Sequence, residues 1–271
     1  MSLFNFNQEE LLTFFAVLVR YSVLFAILPF VGDRMIPTTV KVLLSLAVTI
    51  ALFPALVARG FVNPGQAAIW GSTGAGIIGT IGLEVLFALV LGFTAKMTFD
   101  AISFAGNLAG NFMGFAAAST YDPHQESQTQ VISEVQMAIA MLVFLVLDGH
   151  HLMLRAALGS YEIIGIGGAK LAFGATFSNK LIQMSGQVVR SGVELAAPVA
   201  ISLFAVNVAF GVMAKAMPQL NVLVLSFAAS ALVGLVVMFL TIPEFQGAAA
   251  VIVGNIGDSM TAIMQAMAKG T

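Results

Sequence analysis

The sequence predicts an all-α membrane protein of about six to seven kinked hydrophobic helices. Three observations carry that expectation. Hydrophobic residues make up 59% of the 271-residue chain, against about 45–50% in soluble domains. Only 9% of residues are Asp, Glu, Lys or Arg, against about 25%, which is too few to clothe a soluble surface. The apolar residues fall into long runs without the strict alternation of a barrel strand, and the length suits six or seven spans of about 20 residues each.

This balance excludes a soluble enzyme, a disordered chain and a nucleic-acid binder, which needs a basic face. The formal net charge is −2, so no whole-protein field steers a partner, and the absence of cysteine excludes a disulfide framework or a thiolate metal site. Residues 1–10 carry no Lys or Arg. A secretory signal peptide starts with basic residues, so the first apolar run is expected to be retained.

In order along the chain, the first apolar run covers residues 11–30 and is broken only by Arg20. A polar segment with Pro37 follows, then a second run at 42–57 with Pro54 near its end. Residues 60–83 carry no charge, and only Glu84 interrupts the apolar pattern before Lys96. Residues 101–121 are uncharged and rich in Gly, Ala and Asn. Residues 122–134 are the most polar stretch. The run 135–147 is short, with Asp148-Gly-His150-His151 at its end, and 160–190 is mixed and Gly-rich. Residues 195–214 and 216–243 are long uncharged runs, and the tail 244–271 places Ile252, Ile256, Ile263, Met264 and Met267 at helical spacing. The Lys and Arg residues are scattered, so no orientation follows from positive-inside counting. Short, Pro-containing and charge-bearing runs suit a chain that depends on partner subunits as well as on lipid.

Several features invite a chemical reading. Gly74-Ala-Gly76-Ile-Ile-Gly79, with Asp100 about 20 residues on, matches the dinucleotide fingerprint by letters. No Val/Ile-rich strand precedes it, and small residues four apart (Gly71, Ala75, Gly79) describe a close-packing helix face instead. Gly106, Gly110 and Gly114 make a second such stripe, with Asn107 and Asn111 beside it. The segment then continues Phe112-Met113-Gly114-Phe115, and a Gly-rich loop lined by Phe and Met is an adaptable plug. A core helix and a gating loop both fit these letters.

Glu84, Lys96 and Asp100 are charges in or beside apolar sequence, which point to function by default. Their bland alternatives are a Lys96–Asp100 pair four residues apart on a helix and burial of Glu84 at a subunit contact, with Arg20 pairing or snorkelling likewise. Adjacent histidines diverge on a helix, so His150 and His151 read as a helix break at Gly149 near the water interface, and no metal is expected. Pro198 removes the partner of the Glu194 carbonyl and kinks its helix, and Asn207 is a lone polar group in the same run. Pro218-Gln-Leu-Asn221 reads as a tight turn joining a helical hairpin, or as a kink within one longer helix.

Five segments in order carry a resemblance: Arg20…Pro29…Ile36-Pro37…Lys41; residues 113–123; residues 144–150; Ala197-Pro198-Val199; and Pro218-Gln-Leu-Asn221-Val-Leu. Over roughly residues 11–240 they resemble the FliR family of bacterial type III export gates, with a departure at Ser226-Phe-Ala-Ala-Ser-Ala. The resemblance implies a FliP-like helical part at 1–190, a FliQ-like helical hairpin at 191–243 around Pro218 and Asn221, and an amphipathic tail at 244–271. It implies a single-copy, non-enzymatic subunit of the flagellar export gate in the bacterial inner membrane at the basal body. FliP, FliQ and FlhB homologues would be its partners, unfolded flagellar subunits its cargo, and no cofactor is expected. A plug loop maps to 106–120, with Gly110, Phe112, Met113, Gly114 and Phe115 as gate residues. Glu84, Lys96, Asp100, Pro198 and Asn207 are expected to be buried polar or assembly positions. The alternative is a small proton-coupled secondary transporter using Glu84 and Asp100, which predicts an inverted repeat; Pro54 and Pro198 have unlike surroundings.

Overall fold

The computed structural model describes residues 7–29, 31–32, 36–115, 128–167, 173–217, 219 and 221–268, and among them every regular element is helical. The order is α1 (Gln8–Ile27), α2 (Thr38–Ala58), a 3₁₀ turn at Pro64–Gln66, α3 (Ala67–Trp70), α4 (Gly74–Phe112), α5 (Gln128–Val146), α6 (Gly149–Ile163), α7 (Ala175–Ala216), α8 (Val222–Leu240), α9 (Ile242–Gly254) and α10 (Ile256–Ala268). Six stretches are long and apolar enough to cross a membrane: α1, α2, α4, α7, α8 and the combined Ile242–Ala268. Val131–Val146 with Gly149–Ile163 makes a seventh if the bent pair is one span. The expected six to seven kinked helices are present, and the break expected near Gly149 falls between α5 and α6.

The chain divides into two compact units. The first comprises Met1–Met97, His150–Gln183 and Asn255–Thr271. Helix α1 starts at a capped end, where Asn7 Oδ1 accepts from the Glu10 amide at 2.7 Å, so one of the orphan N–H groups of the first turn is satisfied. Its buried face, with Val17, Tyr21, Leu24 and Phe25, packs on α2. Phe14 meets Phe53 edge to face at 5.4 Å, and the Ser22 and Ser45 hydroxyls are 3.0 Å apart. Pro54 sits inside α2 and leaves the Ile50 carbonyl without its usual donor. Of the expected tail stripe, Ile256, Ile263, Met264 and Met267 are buried in α10, with Met260 beside them, and Ile252 is half-buried in α9.

The second unit comprises Thr98–Gly149 and Met184–Gly254. Helices α4 and α5 touch closely at Gly106, where an added Cβ would collide with the Ser133 backbone, and the Ser103 and Ser133 hydroxyls lie 3.1 Å apart beside it. Phe99 meets Phe144 at 5.6 Å. Helix α9 packs on α5, burying Phe245 and Ala249 with Ile102 and Ala140. Helices α7 and α8 run antiparallel: Asn207 faces Ser230, and Val199 and Leu203 share a core with Val233 and Val237. Only 11% of the most apolar window of α8 is buried within the chain. Lipid or other polypeptide must cover the rest, because a bare apolar surface of this extent is not stable in water.

Candidate gate loop and a buried arginine node

The end of α4 positions the first candidate site. Residues 106–112 are helical, so the plug segment expected at 106–120 begins as helix. The small residues there serve the close approach to α5, and Gly110, expected to give backbone freedom, is a buried helical residue. The helix ends where Met113 N donates to Ala109 O at 3.0 Å and Gly114 N donates to Asn111 O at 3.1 Å. Gly114 has φ +87°, a backbone region that costs an L-residue roughly 1–2 kcal/mol. Residues 116–120 of the expected plug lie outside the described residues.

Met113 is 1% exposed and sits in a core with Ala109, Ile132, Val199 and Leu203, against which Phe115 also packs. Its side chain fills a notch made by the absent side chain of Gly234 on α8: a Cβ there would lie 2.6 Å from Met113 Cγ and 2.8 Å from Cε. Phe227, also on α8, closes over Gly114 so tightly that an added Cβ would be 2.8 Å from its ring. Phe112 is turned outward, 38% exposed. The gate candidates thus divide: Met113 and Phe115 root the loop on α8, Gly114 turns the chain, and Phe112 is available to a neighbour. Nothing in the letters pointed to Phe227 or Gly234, because their role depends on a contact across more than 100 residues.

The second site is a buried charge cluster in the first unit. Arg20 Nε donates to Glu84 Oε2 at 2.5 Å and Nη2 donates to Glu84 Oε1 at 2.9 Å. Nη1 donates to Ser160 Oγ at 2.8 Å, and Nη2 also donates to the Gly165 carbonyl at 2.5 Å. The guanidinium carbon lies 4.0 Å from the Tyr161 ring centroid and 4.7 Å from that of Phe87. Glu84 Oε1 also accepts from the Gly167 amide at 2.9 Å. Arg20 and Glu84 are each 1% exposed. Four of the five guanidinium N–H groups are used and both carboxylate oxygens accept, which meets the condition under which a buried ion pair is tolerated. Gly165 and Gly167 both have positive φ, which lets the loop after α6 turn its carbonyl and its amide onto the pair.

The remaining expected positions are more dispersed. Glu84 is buried as expected, inside its own chain. Asp100 is half-buried, while Lys96, Pro198 and Asn207 are exposed. Lys96 and Pro198 lie exposed on α4 and α7, and Asn207 faces Ser230 of α8 at 3.5 Å. Pro198 is inside α7. Helix α7 stops at Ala216 and α8 starts at Val222, so two helices replace the single kinked one. Pro218 lies outside the described residues. Asn221 caps α8, its Oδ1 accepting from Val224 N, with φ −74°, so it works as an N-cap. Asp148 adopts φ +52°, and the exposed His150 and His151 rings lie 4.2 Å apart. The Gly74–Gly79 motif opens α4, where a Cβ on Gly76 would strike the Trp70 carbonyl, so Gly76 permits a tight helix start.

The family model for bacterial export proteins, family 1, matches residues 11–256. The flagellar biosynthetic protein FliR of Escherichia coli K12 is 27% identical over 230 residues, 85% of this chain and 84% of the relative. FliR of Bacillus subtilis is 33% identical over 142 residues, 52% of this chain and 55% of the relative. FliR of Aquifex aeolicus is 24% identical over 239 residues, 88% of each. With all but the first ten and last fifteen residues inside the match, the chain belongs to the family of bacterial export proteins, family 1.

Proposed function

We propose that the chain is a single-copy subunit of the flagellar type III export gate, placed in the inner membrane at the flagellar basal body. It assembles with FliP and FliQ homologues into a closed pore for unfolded flagellar proteins and meets an FlhB homologue, and it performs no catalysis. The observation that carries this reading is the similarity to FliR proteins of several bacteria over most of both chains. The largely uncovered apolar faces of α7 and α8 support a chain completed by neighbours. The division into a FliP-like part, 1–190, and a FliQ-like hairpin, 191–243, belongs to the same reading, and the antiparallel contact of α7 with α8 supports its second half.

In this reading the segment after Phe112 is the plug. Gly114 is its hinge, Met113 and Phe115 are its roots on α8, and Phe112 and the following residues close the pore by steric filling. Both oxygens of Glu84 are engaged by Arg20 and the Gly167 amide, which supports a structural role for this side chain.

Purification in mild detergent followed by native mass spectrometry tests the assembly, with one copy of this chain in a hetero-oligomer as the expected result. A lone monomer that moves solute in liposomes, or a symmetric homodimer, refutes it. Deleting residues 113–120 should raise the ion conductance of the reconstituted assembly, and an equally tight pore would sink the plug assignment.

A further inference from the structure

We propose that the cavity at the base of the α7–α8 pair binds the headgroup of a zwitterionic phospholipid bearing a primary ammonium group. The cavity measures about 470 Å³ and is lined from α5, α7, the end of α8 and α9, within the range of roughly 300–1,000 Å³ typical of ligand sites. Its floor is apolar, with Val135, Ile139, Leu195 and Phe245.

Its depth follows from the charge pattern. Residues 195–214 and 216–243 are uncharged, and α7 and α8 run antiparallel. Glu194 precedes the first run and Glu244 follows the second, so both carboxylates stand at the same end of the pair. That is where an apolar span meets the headgroup layer, and both line the cavity.

One buried acceptor in the lining lacks a donor. Gln136 is 4% exposed and its Oε1 is buried without a hydrogen-bond partner; native proteins rarely leave such an atom unsatisfied. Pro198 has no N–H to give the Glu194 carbonyl. The occupant must therefore bring N–H donors. The charges ask for both signs. Glu244 carries no ion pair among the described residues, whereas Arg190, an exposed residue one turn before Glu194 and outside the lining itself, donates through Nε to Glu194 Oε1 at 2.8 Å and leaves its Nη groups for an anion. An ammonium for Glu244 and Gln136, a phosphate for Arg190 and an acyl chain for the apolar floor are united in an aminophospholipid. A choline headgroup has no N–H, and a purely anionic headgroup faces two carboxylates.

The full-length chain in a neutral detergent is titrated with phosphatidylethanolamine, phosphatidylcholine or phosphatidylglycerol of matched acyl chains, and retained lipid is counted by native mass spectrometry. The ethanolamine lipid should be retained at least about tenfold better than either of the others, because one lost charged hydrogen bond of about 1.4 kcal/mol is a factor of ten. Glu244→Gln, at an exposed position, should reduce that preference to within about threefold, and Gln136→Leu should weaken it likewise. Ala248→Trp, which fills the cavity from α9, should abolish retention, and circular dichroism of each variant reports that the helices persist. Equal retention of the three lipids overturns the proposal. So does a preference unchanged in the well-folded Glu244→Gln and Ala248→Trp variants, which leaves the cavity to a partner polypeptide.

Discussion

The root of the proposed plug offers the sharpest test, a double-mutant cycle between Met113 and Gly234. A methyl group at position 234 would lie 2.6 Å from Met113 Cγ, 2.8 Å from Cε and 3.2 Å from Sδ, all inside van der Waals contact. Met113 is 1% exposed and hemmed in by Ala109, Ile132, Val199 and Leu203, so only its terminal methyl can give way without moving neighbours. Overpacking of this kind costs about 1–3 kcal/mol, against which Ala gains up to about 1 kcal/mol over Gly in a helix interior. Gly234→Ala should therefore destabilise by about 0–2 kcal/mol. Met113→Ala opens a cavity and should cost about 2–5 kcal/mol. In the double variant the new methyl enters the space that the thioether left, so its cost should fall short of the sum of the two single costs by at least about 1 kcal/mol. Chemical denaturation of the detergent-solubilised chain, followed by circular dichroism, measures all four states. Conductance of the reconstituted assembly should rise in the order of the measured losses. Strict additivity within about 0.3 kcal/mol would refute the notch, and a conductance indifferent to all three variants would separate the root from the gate.

Further predictions concern other parts of the chain. Arg20→Met and Glu84→Gln should each destabilise by about 3–5 kcal/mol, because each leaves a buried group without its counterpart; an Arg20→Met/Glu84→Leu double variant should recover much of the loss in the same denaturation experiment, and a double variant as unstable as the worse single one would contradict the pairing. Gly106→Val should drive α4 from α5 and cost at least about 2 kcal/mol, since the obstacle is Ser133 backbone and not a movable side chain; a melting temperature within one degree of the parent would refute the close approach. Asn221→Ala should cost about 0.5 kcal/mol, the low end for an N-cap, given the 3.5 Å contact to Val224 N, with Asn221→Asp expected to retain stability.

What could be read from the letters depended on how far apart the deciding partners lie in sequence. The helices were legible because apolar runs of spanning length have few folded alternatives, and the tail stripe because its period is local. The break at Gly149 and the interruption between α7 and α8 were likewise carried by neighbouring residues. Arg20 and Glu84 were both visible as charges in apolar runs, yet their union was not, because nothing local relates positions 64 residues apart. The same holds for Met113 and Gly234: a glycine in an apolar helix has many possible reasons, and only packing selects one. The stretch 106–112, whose letters fitted a core helix and a gating loop alike, is helical and meets Ser133 of α5 at Gly106. Lys96, Pro198 and Asn207, expected as buried polar or assembly positions, are exposed on the single chain, where a chain built to be covered by others can leave them.

The arginine node has a temporal consequence. Arg20 is finished by groups that the ribosome delivers 64, 140 and 145 residues later, at Glu84, Ser160 and Gly165. At synthesis rates of about 5–20 residues per second, the guanidinium waits roughly 3–13 seconds for its carboxylate and about 7–29 seconds for the last of its acceptors. A lone arginine at the middle of a helix costs about 2.5–3.5 kcal/mol to insert. The first helix therefore carries that cost without its compensating contacts until the chain is more than half made. A newborn chain truncated before residue 165 should still be open to proteolysis at its N-terminal segment, so the node marks the moment at which biogenesis of the first unit closes.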